Sequence, residues 1–187
     1  MVANPLICTL RLMANNPLIR VVSILNFVFI AAHVVYSAIL TKQNKSARPV
    51  GYAVANGASN SPWASRNMGL LGTILLLFIL VHLRGFWYEV KFGEMPMVTY
   101  EESGTIKDVY TIVAASYENV GYALFYVVCM GFLAFHLSHG FSSAFQTLGL
   151  NHVKYSPVIK KVGYAITILI PTLFAAIPVV MYIQSLS

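Results

Sequence analysis

The sequence predicts an all-α integral membrane protein, a bundle of four transmembrane helices. Of its 187 residues, 58% are hydrophobic and 10% are charged, against about 25% charged residues in a soluble domain. Four segments also approach the roughly twenty apolar residues that cross the hydrocarbon core of a bilayer. This composition argues against a soluble enzyme and favours one membrane domain over residues 1–187.

The four spans are expected to be helices because lipid offers no hydrogen-bond partner to an open backbone, and the apolar runs lack the alternation of barrel strands. The last span contains Pro171 and Pro178, seven residues apart and therefore on one helix face. We expect kinks at these prolines but no break. The predicted spans are about 21–40, 68–87, 120–139 and 162–183.

The loop charges predict the orientation. The loops after the first and third spans contain Lys and Arg but no acid, whereas all six acids lie between the second and third spans. Because cationic loops stay in the cytoplasm, we expect the acidic loop and both chain ends on the outer side. The cations are Lys42, Lys45, Arg48, Arg66, Lys154, Lys160 and Lys161, and the acids are Glu89, Glu94, Glu101, Glu102, Asp108 and Glu118.

An outer amino terminus creates a conflict, because Arg11 and Arg20 would have to cross the membrane without a preceding signal peptide. One additional upstream helix would remove this conflict. We therefore expect the sequence to represent the last four helices of five, and an upstream reading frame that continues in frame with an apolar stretch would support this.

Histidines are the ionisable groups of the predicted spans, where such groups are costly and usually functional. At about 1.5 Å of rise per residue, His33 and His136 fall in the cytoplasmic half of the membrane and His82 in the outer half. Two imidazoles from two helices can supply both axial nitrogens of a haem iron. The pair His33 and His136 therefore predicts a b-type haem, held without thioether bonds.

The other histidines have weaker roles. His82 would hold a second haem together with a histidine of the expected upstream helix, and hydrogen bonding between helices is the alternative for every membrane histidine. His139 follows His136 by three residues and is a second candidate ligand, which could instead bind a propionate or cap the helix. His152 is expected to be a solvated loop residue.

Haem propionates are anionic and need cationic donors. Arg66 is a candidate on the inner side, and Arg84, two residues after His82, is a candidate on the outer side. The alternative for Arg84 is snorkelling to the interface. Lys42, Lys45, Arg48 and Lys91 are further candidates, and Trp87, Tyr88, Tyr117, Tyr122 and Tyr164 are expected to be interfacial anchors.

Other chemistries find little support. Cys8 and Cys129 offer no thiolate framework for a metal or an iron–sulfur cluster, no glycine-rich phosphate loop is present, and no carboxylate lies within a span. The cations form no run that would indicate nucleic acid. Electron transfer remains, with a separate redox subunit and a lipid-soluble quinone as expected partners.

Three segments carry a family resemblance. AHVVYSAILTKQNKSARP at residues 32–49, VHLRGFWY at 81–88 and FHLSHGFSSAFQTLG at 135–149 resemble the cytochrome b subunit of bacterial succinate dehydrogenase or fumarate reductase. The similarity covers essentially the whole chain and is to the type with one five-helix anchor and two haems, found in Bacteroidetes and relatives. The sequence departs from that pattern in lacking the first helix and its histidine.

The resemblance implies that His33 and His136 ligate the haem nearer the iron–sulfur subunit and that His82 ligates the distal haem. The spacing to Gly149 favours His136 over His139. It also implies an anchor in the bacterial inner membrane that joins a flavoprotein and an iron–sulfur subunit on the cytoplasmic face and exchanges electrons with menaquinone or ubiquinone. A cytochrome b of a hydrogenase or formate dehydrogenase, a haem-free anchor and a small transporter remain alternatives.

Overall fold

The structure is a computed structural model, and the residues that it describes are 16–47, 50, 59, 61–100, 104–150 and 152–187, apart from the side chain of Tyr100. The predictions about Cys8, Arg11, Arg48, Glu101 and Glu102 fall outside these residues.

Helices dominate the described part of the chain. Four of them are long and apolar enough to cross a membrane, which confirms the predicted all-α membrane fold with four transmembrane helices. These four are α1 (Pro17–Ser46), α3 (Met68–Phe92), α5 (Val120–Thr147) and α6 (Ser156–Ser185). The shorter elements are α2 (Trp63–Arg66), β1 (Met97–Tyr100), β2 (Gly104–Lys107) and α4 (Val109–Tyr117).

The spanning helices extend beyond the predicted spans, and α5 continues to Thr147. The hydroxyl side chains of its polar end find acceptors within the helix: Ser142 Oγ donates to the Ser138 carbonyl at 3.2 Å, and Thr147 Oγ1 to the Ser143 carbonyl at 2.9 Å. Gly149, two residues after the end of the helix, has a left-handed φ of 70°, which is the usual conformation after a helix C-terminus.

The connection between α3 and α5 contains a β-hairpin and a helix that the sequence analysis did not predict. Strands β1 and β2 pair antiparallel, from Met97 opposite Lys107 to Tyr100 opposite Gly104. The Thr99 and Thr105 hydroxyls face each other at 3.0 Å. Four-residue strands are too short for alternation to stand out in a sequence.

Backbone contacts divide the chain into two compact units. The first contains α1 and the hairpin, and none of the α1 residues is buried. Helix α1 begins where Asn16 Oδ1 accepts the Leu18 amide at 2.8 Å, immediately before Pro17 at the first helical position. The second unit contains α2, α3, α4, α5 and α6.

The most extensive helix pair of the second unit is α5 with α6. The buried face of α6 is lined by small residues and prolines, whereas large apolar side chains point outward. Such a distribution suits a protein whose solvent is lipid, because helices approach closely over small residues. The helix runs through both prolines without a break, as predicted. The buried residues are Gly163, Thr167, Pro171 and Pro178, and the exposed ones include Ile168, Leu169, Leu173 and Phe174.

Gly163 is the tightest point of the α5–α6 contact, because a Cβ at this position would overlap the ring of Phe141. We expect Gly163→Ala to destabilise the chain by about 1–3 kcal/mol, the usual cost of overpacking. The measurement is the unfolding midpoint of the full chain in detergent.

Gly140→Ala on α5 is the matched control, since a Cβ there meets no atom within 4 Å. It should raise stability by about 0.5–1 kcal/mol, because glycine is the poorer helix former. Equal midpoints for the two variants would contradict the proposed packing.

Candidate functional site

His136 lies in the middle of α5 with its side chain half-buried and its Nδ1 atom buried. Gly72 of α3 lies opposite, where an added Cβ would be 3.8 Å from His136 Cε1. The residue before it, Phe135, packs edge-on against Trp63 of α2 at a centroid distance of 5.8 Å. The sequence thus places an imidazole beside a glycine of the neighbouring helix.

His33 lies on α1 with an exposed side chain. It belongs to the first unit, whereas His136 belongs to the second. The predicted meeting of their imidazoles on one iron therefore stays a prediction.

His82 lies on α3 among aromatic rings. Its ring stacks on Phe78 at a centroid distance of 5.8 Å and meets Phe86 edge-on at 5.5 Å. The ring of Tyr126 on α5 is 6.1 Å away. Although the His82 side chain is exposed in total, three aromatic rings therefore pack against its imidazole.

The geometry of helix α3 changes directly after His82. Leu83–Trp87 form a π-helical turn, and α-helical geometry resumes at Tyr88. Such turns are rare and occur frequently at functional sites. At Gly85, within the turn, a Cβ would lie 2.7 Å from Tyr122 Oη, so the absence of a side chain permits this close approach.

A tyrosine cluster joins α4 to α5 beside this turn. Tyr117 and Tyr126 are 4% and 5% exposed, and Tyr122 Oη lies 3.1 Å from Tyr126 Oη. Tyr117 is thus a core residue of the second unit, and the interpretation of it as an interfacial anchor was wrong. Its position near the end of the acidic connection resembled that of an interface residue, and the sequence alone did not predict that α4 folds back onto the helices.

Two of the candidate propionate donors, Arg84 and Arg66, have partners within the chain. Arg84 forms an ion pair with Glu89, with Nη1 and Oε1 2.5 Å apart, and its guanidinium lies 4.7 Å from the centroid of the Tyr88 ring. Arg84 lies within the π turn, and Glu89 lies two residues beyond its end. Arg66 donates to the Ser61 carbonyl. The propionate roles of both arginines stay predictions.

His139 Nε2 lies 3.2 Å from Ser143 Oγ. The helix continues past it to Thr147, so the interpretation of His139 as a helix cap was wrong, and its roles as ligand or propionate donor stay predictions. His152 is exposed, as expected, and its Nδ1 accepts the Lys154 amide at 3.2 Å.

The residues of α3 and α5 fit a haem b in donor type. Neutral imidazole is an axial ligand that haem iron takes, and Gly72 of α3 lies next to one such ring. In the described residues no three His, Cys, Asp or Glu side chains converge, and a haem needs only two axial donors. Comparisons of the chain with protein-family models, curated proteins and solved structures found no match.

The pKa of Tyr117 is raised to about 12, mainly because its side chain is buried and to a smaller extent because Tyr122 lies nearby. An unfolded tyrosine titrates near pH 10, so the stability that neutral Tyr117 contributes is complete below about pH 10 and is lost as the pH rises to about 12. We expect the unfolding midpoint of Tyr117→Phe to fall less between about pH 9 and about pH 11 than that of the unmodified chain.

Tyr110→Phe is the control, because Tyr110 lies on the same helix with its side chain 63% exposed. This variant should keep the full pH dependence. A Tyr117→Phe variant with the same pH dependence as the unmodified chain would show that Tyr117 does not resist ionisation in the folded state.

Proposed function

We propose that the chain is the haem b-binding membrane anchor of a succinate:quinone oxidoreductase, a succinate dehydrogenase or fumarate reductase. The observation that carries the proposal is the setting of His136, an imidazole halfway along an apolar helix with a glycine of the next helix beside it. A histidine in a membrane-spanning helix is a functional candidate by default. The resemblance around His33, His82 and His136 selects this function among those that use membrane haem.

In this proposal the haem, when bound, supplies a centre that accepts and releases one electron at a time. His136 and His33 would hold this haem through their ring nitrogens, and His82 would hold the distal haem. Exclusion of water from the iron by apolar side chains would tune its potential. Arg66, Arg84 and His139 remain candidates for the propionates.

The proposed partners come from the family resemblance, and the composition of the given sequence is consistent with them. The sequence contains neither a flavin fingerprint nor enough cysteines for an iron–sulfur cluster. A flavoprotein subunit and an iron–sulfur subunit would therefore carry the dicarboxylate chemistry on the cytoplasmic face of the bacterial inner membrane. Menaquinone or ubiquinone would exchange electrons with the haem from within the lipid.

The test is haem quantification on the complex purified through this chain. His33→Ala and His136→Ala are each expected to remove the same single b-type haem from the reduced-minus-oxidised spectrum, because one missing axial ligand opens the iron site. His152→Ala is the matched control and should keep the full haem content, since His152 is exposed beyond the end of α5.

Full haem content in either ligand variant would overturn the pairing. A spectrum without any b-type band would favour a haem-free anchor or transporter. Purification with a hydrogenase or formate dehydrogenase subunit, in place of a flavoprotein that oxidises succinate, would retain the haem assignment and overturn the proposed complex.

A further inference from the structure

A continuous series of contacts leads from a glycine of α3 to the ring of His82. It begins at Gly85, where a Cβ would lie 2.7 Å from Tyr122 Oη, well inside van der Waals contact. The Tyr122 hydroxyl lies 3.1 Å from that of Tyr126, and the two ring centroids are 4.9 Å apart. The ring of Tyr126 in turn lies 6.1 Å from the imidazole of His82.

Tyr126 is held firmly enough to transmit a displacement. Its side chain is 5% exposed, and aromatic rings pack against it from several positions. A close-packed ring cannot move without moving its neighbours. The six rings around it belong to Phe78, His82, Phe86, Tyr117, Tyr122 and Phe125.

The π turn makes this arrangement possible. It begins at the residue after His82 and ends at Trp87. His82 is therefore the last α-helical residue before the helix geometry changes. The turn also brings Gly85 over the Tyr122 hydroxyl and places the buried Phe86 edge-on to the imidazole at 5.5 Å. The five residues of the turn thus determine both how Gly85 meets Tyr122 and how Phe86 meets the ring of His82.

We propose that the π turn positions the ring of His82, with Gly85 acting through Tyr122 and Tyr126. These three are positioning residues, because none of them is a proposed iron ligand. The purpose of holding the ring rests on the proposed function, in which His82 ligates the distal haem. Groups that pack around or hydrogen-bond to a ligating histidine fix the plane of its ring and tune the metal.

The main test follows the ring-nitrogen resonances of histidines labelled with nitrogen-15 in the full chain in detergent. His82→Gln assigns the His82 signals. Gly85→Ala is expected to shift these signals and to leave those of the other four histidines in place, because the new Cβ displaces Tyr122 and, through it, Tyr126.

Tyr122→Phe provides the matched rescue. Without the hydroxyl, the nearest atom to a Cβ at Gly85 is Cζ of residue 122, at the ordinary contact distance of 4.0 Å. The double variant should therefore give the His82 signals of Tyr122→Phe alone. Unchanged His82 signals in Gly85→Ala, or a double variant that stays shifted, would overturn the proposal.

A second pair of variants keeps the test decisive if Gly85→Ala does not fold. Tyr126→Phe retains the ring beside His82 and should leave the His82 signals near their normal positions. Tyr126→Leu removes the aromatic face and should shift them. Equal spectra for the two variants would contradict positioning by the ring.

A haem readout separates this proposal from the proposed function. His82→Ala identifies the affected haem in the purified complex, because it should remove that haem. In Gly85→Ala the same haem should show altered low-spin resonance values and an altered reduction potential. The double variant with Tyr122→Phe should return both to the values of Tyr122→Phe alone. If His82→Ala removes no haem, the ligand role of His82 fails, and the nitrogen resonances still decide whether the turn positions the ring.

Discussion

Hydrocarbon offers no hydrogen-bond partner to a peptide group, and the architecture of this chain follows from that constraint. Each long apolar segment must satisfy its backbone internally, which only a helix achieves within a single segment. Polar side chains inside these segments follow the same rule. Thr73 and Thr172 donate to carbonyls one turn earlier, so their hydroxyls need no partner from lipid and do not interrupt the helix.

Once the backbone is satisfied, the shape of helix faces decides which helices meet. Lipid is as apolar as leucine, so burial of leucine adds little and close approach adds more. The face of α6 with Gly163 and Thr167 is therefore buried, whereas Leu169 and Phe174 remain outside. Aromatic packing dominates near the short helix α4, where Tyr117 joins α5 to the end of α3.

The sequence predicted the four long helices and the shared face of Pro171 and Pro178, because apolar length and helical period are local properties. It did not predict the β-hairpin, the helix α4 or the π turn. The first two consist of short segments with weak patterns, and the turn after His82 packs against Tyr122, nearly forty residues away along the chain. The sequence identified His82 and His136 as candidates. The glycines that lie beside the imidazole of His136 and beside the ring of Tyr122 became recognisable only from the packing.

The dominant α5–α6 contact has a consequence for biogenesis. Helix α6 is the last element of the described chain to be synthesised. The surface of α5 around Phe141 therefore has no helix to pack against until α6 is inserted. Translation that stopped before Ser156 would deliver three insertable helices without the largest packing partner of the second unit.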